Sequence, residues 1–380
     1  MDIQGFVYTT SVVGSFPRPR WLKDAFEKAK SGEMKAEQYD EFLDDAVKLT
    51  IREQELAGID VITDGEQRRV SFVSFVGQTI PGFQLIHINE INPDAVRIMK
   101  EQKAPITYWR AVAAGTIKDA PMATHELEFA KSVTEKPVKV TLPSPYLVMW
   151  EAWDEKYSKP FYRQPEDLAA DYIKIVRKEI VRLRDAGAAF VQLDEPMLGD
   201  LVEAGREPDR YRKFIGLIHG QKYRGFKDEL SLGRDLMNEA VKGISGVRIG
   251  MHMDRWPVKG SPNWGIGYER LLPDVMDIKV KQYVLEYASE GSGDPAKFIE
   301  QMPSDREIGL GVVDVTDPKV ESPKRIAERA RRAGKHLDPE RIWLNPDCGF
   351  APGMFRKFER RTAFQKLRSM ADAAKILRSK

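Results

Sequence analysis

Three stretches of the chain carry side chains whose types and spacing suit metal or acid–base chemistry. In "GMHMDRW", residues 250–256, His252 and Asp254 stand two apart at the end of an apolar run, "VRIGMHMD", that reads as a buried strand. Side chains two apart on a strand share a face, so the imidazole and the carboxylate project together, into a core or into a site. In "NPDCGF", Cys348, the only cysteine of the chain, follows Asp347 at the end of another apolar run, and Glu286 ends a third, "QYVLEYAS". A single cysteine rules out an internal disulfide and leaves either an inert buried thiol or a reactive or metal-bound thiolate. His252, Asp254, Glu286 and Cys348 are all ligand types. Three or four N, O and S donors with a position left for an incoming substrate make the pattern of a catalytic zinc site. Spacing alone leaves open a core histidine, two solvated acids and an inert thiol.

What must position these residues is a set of short apolar, β-branched runs alternating with amphipathic helical segments. The runs are "FVYTTSVVGSF", "IDVITDGE", "VKVTLPSP", "FVQLDEP", "VRIGMHMD", "QYVLEYAS", "IGLGVVDV" and "IWLNPDCG", with helical spacing over 36–58, 166–186, 229–243, 322–334 and 360–378 among others. Eight alternations predict an α/β fold, a (β/α)8 TIM barrel, with a doubly wound sheet plus an added domain as the alternative. Residues 68–136 do not fit one crossover helix and contain "TYWRAVAAGTI", an extra strand or hairpin, so they read as an insertion after the second strand of a single domain spanning 1–380. The active site of such a barrel lies at the C-terminal mouth. The strand ends there carry Ser15, Asp64 and Glu66, Ser144, Asp194 and Glu195, His252 and Asp254, Glu286, Asp314, and Asp347 with Cys348. One strand ending in Asp or Ser is ordinary helix capping, but nearly every strand doing so points to a site.

The 380 residues are 42% hydrophobic and 31% charged, enough apolar surface for a sizeable core. Sixty Lys plus Arg against 58 Asp plus Glu leave a net charge of +2, which gives no long-range attraction for a nucleic-acid backbone. The start "MDIQGFVYTTSVVGSFPRPR" does not read as a secretory signal, and no stretch approaches the roughly 20 apolar residues that span a bilayer. The expectation is a cytoplasmic protein with small-molecule substrates and no nucleic-acid or membrane partner; a homo-oligomer stays open.

"SVVGSFPRP", "AGIDVITDGEQRR", "FVQLDEPML", the His-x-ligand strand, "LEYAS" and "NPDCGF" together resemble, in order and over nearly the whole chain, the motifs of the cobalamin-independent methionine synthase catalytic barrel. The long loop "RWPVKGSPNWGIGYERLLPDV" is more similar to the short single-barrel relatives, which include epoxyalkane:coenzyme M transferase. The N-terminal barrel of the full-length synthase has no counterpart here. The resemblance implies a zinc ion held by His252, Glu286 and Cys348 that takes a thiol substrate as its thiolate. It also implies that Ser15, Glu66 and Asp194 bind homocysteine, the two acids facing its ammonium group.

Two departures matter. The family's fourth ligand, a cysteine two residues after the histidine, is replaced by Asp254. This harder donor makes the metal a stronger Lewis acid and shifts preference toward iron(II) or manganese(II) without excluding zinc. At "DVTDP" the family's folate-side proton-donating histidine is replaced by Thr316, and its folate-binding "GPVT" by "LPSP" around Ser144. The leading expectation is metal-dependent alkyl transfer, methyl foremost, to a small thiol such as homocysteine, with Asp194 and Asp254 as catalytic residues. The alternative is a divergent metal-dependent lyase or hydrolase, made plausible by Asp254; a non-enzymatic binding module ranks third.

Overall fold

The computed structural model describes residues 7–101, 108–255, 265–289, 291–351 and 359–379. Its strands are β1 (Thr9–Thr10), β2 (Phe83–His87), β3 (Trp109–Ala113), β4 (Lys139–Pro143), β5 (Phe190–Asp194), β6 (Arg248–Met253), β7 (Gln282–Leu285), β8 (Glu307–Val313) and β9 (Ile342–Pro346). Seven of them form one parallel sheet in the order β1-β9-β8-β7-β6-β5-β4. The two edges meet through residues 61 and 62, which make parallel bridges to Ser11 on one side and Val138 on the other. Val61 N–H donates to Thr10 O at 3.0 Å and Lys139 N–H to Ile62 O at 2.8 Å.

The barrel therefore has its eighth strand, shortened almost to a point. The cause is local. Gln54, on helix Ala36–Ala57, donates to Thr63 O at 2.8 Å and accepts from Thr63 N–H at 3.0 Å, so a side chain takes the bonds a longer strand would have used. The other seven apolar runs become strands because every strand position except Arg248 is buried between the barrel interior and the helices.

The helices fall where the periodicity places them, at Ala36–Ala57, Pro165–Asp185, Phe226–Val241, Pro323–Ala333 and Arg360–Arg378. Their apolar faces, including Val47, Ile180, Met237, Ala330 and Met370, join one continuous core. Inside the barrel a smaller cluster, Val13, Val61, Phe190, Val284 and Trp343, fills the lower interior. Phe190 meets Trp343 edge to face at 5.8 Å between centroids. Burying each large side chain of this kind stabilises the fold by about 1.5–3 kcal/mol.

The insertion expected over 68–136 contains the antiparallel hairpin β2–β3, in register from Phe83 opposite Ala113 to His87 opposite Trp109, followed by helix Thr124–Ser132. Arg110 of β3 donates to the carbonyls of Glu151 at 2.8 Å and Trp153 at 3.4 Å, which ties the hairpin to helix Pro145–Ala152. Among the described residues no helix is long and apolar enough to cross a membrane.

Candidate metal centre

Parallel register sets the site. Asp194, the last residue of β5, lies opposite His252 of β6, and His252 lies opposite Val284 of β7. His252 Nδ1 is 3.1 Å from Val284 O. A carbonyl only accepts, so Nδ1 carries the hydrogen and Nε2 presents its lone pair. That lone pair faces Cys348 Sγ at 3.4 Å, and Sγ in turn donates to Asp254 Oδ2 at 3.4 Å. The three donor atoms lie within 4.8 Å of one another and all three residues are buried. Helix Pro196–Arg206 crosses this strand end so closely that a Cβ at Gly199 would stand 1.9 Å from Asp254 O, so only glycine fits.

Cys348 is held in place by its neighbour. Asp347 accepts from the backbone N–H groups of Tyr287, Ala288 and Ser289 at 2.9, 2.8 and 2.7 Å, and from the Ser289 hydroxyl, locking the end of β9 to the loop after β7. Burial pushes its carboxyl up to about 6, while the bonds from Ser289 and Ala288 oppose the rise.

A tautomer-fixed imidazole, a carboxylate and a thiol converging from β6 and β9 fit a divalent ion of the zinc, iron(II) or manganese(II) kind. Glu286 lies outside this group of three. It is buried just past β7; its Oε2 accepts from Arg255 N–H at 2.9 Å, and its own N–H donates to the Tyr268 hydroxyl at 3.2 Å. Asp254→Cys should raise zinc affinity in a chelator competition, because a softer donor replaces a harder one. Unchanged or lower affinity would place Asp254 away from the ion.

Beside the three donors lies a cluster of polar side chains. Ser15 is fastened to the residues after Cys348: its carbonyl accepts from Phe350 N–H at 2.8 Å and its Oγ from Ala351 N–H at 3.4 Å. Glu66 has φ of +55°, a left-handed conformation that costs a non-glycine residue of order 1 kcal/mol or more and is tolerated mainly at functional sites. That turn sends its carboxylate inward, where a Cβ at Gly14 would meet Oε1 at 2.5 Å. Thr141 donates to the same oxygen at 2.8 Å, and Arg69 stands 3.7 Å away.

Burial raises the Glu66 carboxyl, although Arg69 opposes it. Burial also drives Asp194 well above the carboxylate range, and the Glu66 charge pushes it the same way. Arg69 and Lys139 oppose the rise at Asp194 without cancelling it.

Several strand-end residues have other work. The Ser144 hydroxyl donates to Glu195; Ser144 also caps helix Pro145–Ala152 through Leu147 N–H at 3.0 Å, and Glu195 caps the next helix through Leu198 N–H at 3.2 Å. Asp64 accepts from Glu66 N–H at 3.0 Å, and Asp314 holds a turn by accepting from Thr316 N–H and Oγ1–H, each at 2.7 Å.

Sequence reasoning passed over Arg69, Thr141, Lys139 and Gln192, which surround the two acids. A signal was present: Gln192 is two residues before Asp194 on one strand face, and Lys139 interrupts an otherwise apolar run.

A family model described as cobalamin-independent synthase, catalytic domain, matches residues 7–214 and 266–376. The unmatched stretch between them contains β6, His252 and Asp254, the place of the ligand departure. A methionine synthase of Saccharolobus solfataricus is 32% identical over 373 residues, covering 97% of this chain and 94% of that protein. One from Sulfurisphaera tokodaii is 31% identical over 376 residues, covering 98% and 93%. The solved structure of a B12-independent methionine synthase from a Shewanella species, in complex with selenomethionine, matches with a TM-score of 0.73 at 21% identity over 98% of each chain.

Proposed function

The chain belongs to the cobalamin-independent methionine synthase catalytic-domain family, and from that membership we propose that it transfers a methyl group to the sulfur of a small amino thiol such as homocysteine, at a divalent metal held by His252, Asp254 and Cys348 with Glu286 as a fourth donor. The observation that carries this reading is the convergence of His252 Nε2, Asp254 Oδ2 and Cys348 Sγ beside a buried acid pair. A bound zinc, or iron(II) or manganese(II), supplies Lewis acidity that turns a thiol into a thiolate near neutral pH.

The chain's own residues do the rest. The Val284 carbonyl fixes the His252 tautomer, and Asp347 keeps Cys348 against the mouth. Glu66 and Asp194 take the substrate ammonium, which relieves their mutual repulsion and favours the charged form of both. Ser15, next to the Cys348 loop, stands where the substrate carboxylate enters. Burial of these side chains excludes water, which strengthens their electrostatic hold on the substrate ammonium.

The test is to supply metal-loaded protein with homocysteine and an electrophilic methyl donor such as a sulfonium, and to quantify methionine. Metal-dependent methionine supports the reading. A protein that needs metal but consumes no thiol would instead be a lyase or hydrolase.

Glu66→Gln and Asp194→Asn should each weaken homocysteine binding by about 1–3 kcal/mol, the scale of one charge-assisted hydrogen bond. Equal affinity in both amide variants would mean a substrate without an ammonium group, such as a sulfonate thiol.

A further inference from the structure

Lys139, near the start of β4, is 1% exposed, and no step of the proposed reaction uses it. Its Nζ donates to Gln192 Oε1 at 3.0 Å and lies 5.3 Å from the Phe190 ring centroid. The amide nitrogen of Gln192 donates to Val13 O at 3.1 Å and to Asp194 Oδ1 at 2.7 Å. An ammonium only donates and a carbonyl only accepts, so Lys139 and Val13 together allow a single orientation of the Gln192 amide. In that orientation its second N–H is aimed at Asp194.

A buried lysine is expensive in desolvation, and an apolar side chain of similar length would fill the same space without that cost. Burial pushes the Lys139 ammonium down to about 7, against the opposing pull of Asp194 and Glu66, and the barrel keeps this donor all the same, at the far end of a two-bond relay that terminates on one oxygen of Asp194. Without Lys139, the buried Gln192 Oε1 loses its donor and the amide is held from its nitrogen end alone, by Val13 O and Asp194 Oδ1.

We propose that Lys139 is a positioning residue for the amino-thiol substrate: through Gln192 it fixes the Asp194 carboxylate so that its other oxygen faces the substrate amino group. This rests on the reading of Asp194 as the ammonium partner. The effect is selective. It strengthens binding of a thiol that carries an amino group and is indifferent to one that lacks it, which separates positioning from a general contribution to barrel stability.

The experiment is titration calorimetry of metal-loaded protein with homocysteine and with 4-mercaptobutyrate, the same thiol acid without the amino group. Lys139→Met should raise the Kd for homocysteine about tenfold, the equivalent of part of a charge-assisted hydrogen bond, and leave that for 4-mercaptobutyrate within about twofold. Lys139→Gln keeps a neutral donor for Gln192 Oε1 and should restore most of the homocysteine affinity. If Lys139→Met does not fold, Gln192→Met breaks the same relay and should give the same selective loss. Equal weakening of both thiols, or no weakening of either, overturns the proposal. Asp194→Asn is measured alongside. If it leaves homocysteine binding intact, the reading of Asp194 falls and the positioning role with it; if it weakens binding while the relay variants do not, the positioning role alone falls.

Discussion

Cys348→Ser and His252→Ala should each lose most of the bound metal and at least about 10³-fold of thiol methylation, the equivalent of several kcal/mol of lost thiolate stabilisation. The size follows from the chemistry of the nucleophile. A free thiol with a pKa of about 8.5 is mostly protonated at neutral pH, whereas a metal-held thiol is ionised outright. Cys348 is the only thiol in the chain, and its Sγ touches both other donors at 3.4 Å. Serine is nearly isosteric but a far poorer ligand, so this substitution removes the donor with little change of volume. His252→Ala removes the nitrogen donor and the hydrogen bond to the Val284 carbonyl, so some loss of stability accompanies it. Metal content by mass spectrometry, read beside thermal unfolding, separates the two effects. A full metal equivalent in both folded variants would contradict the site.

Methyltetrahydrofolate should be a poor methyl donor or none. Proton donation to a leaving amine supplies about 10²- to 10⁴-fold, and a threonine hydroxyl does not titrate near neutral pH. Thr316 stands where the motif resemblance places the family's folate-side histidine. It is exposed, and its hydroxyl is already committed to Asp314 Oδ1 at 2.7 Å in a turn. The "LPSP" segment is likewise occupied: Ser144 caps a helix and bonds Glu195. Both positions that the motif resemblance assigns to folate hold structure here, whereas the thiol-side motifs depart from the family only at Asp254. An electrophilic donor needs no acid and should react regardless. Methionine formed from methyltetrahydrofolate and homocysteine at about 1 s⁻¹ or faster, an ordinary enzyme rate, would mean that Thr316 has been misread. Thr316→His should raise any residual folate rate.

The barrel was legible because its signals are local and repeated. Each of the eight apolar runs forms part of the barrel wall, and "TYWRAVAAGTI" supplies β3 of the inserted hairpin. The brevity of the strand at 61–62 was not legible, since it depends on Gln54 reaching Thr63 from a helix. His252, Asp254 and Cys348 could be singled out from residue type and strand ends, yet their meeting point depends on how β9 returns beside β1, which no spacing states. Asp347, Ser144 and Glu195 sit at strand ends in the sequence just as Ser15, Glu66 and Asp194 do. Only their partners, backbone N–H groups and each other, separate caps and locks from binding groups. The Lys139–Gln192–Asp194 relay joins residues 53 apart in the chain, beyond the reach of any local pattern.

X-ray absorption at the metal edge of the purified, metal-loaded protein, before and after homocysteine is added, tests the metal-held thiolate most directly. With Cys348 as the only protein sulfur at the ion and homocysteine binding through its own, the number of sulfur neighbours should rise from one to two. A count that stays at one with homocysteine saturating, or a protein that binds no metal at this site, would contradict a metal-held thiolate as the nucleophile.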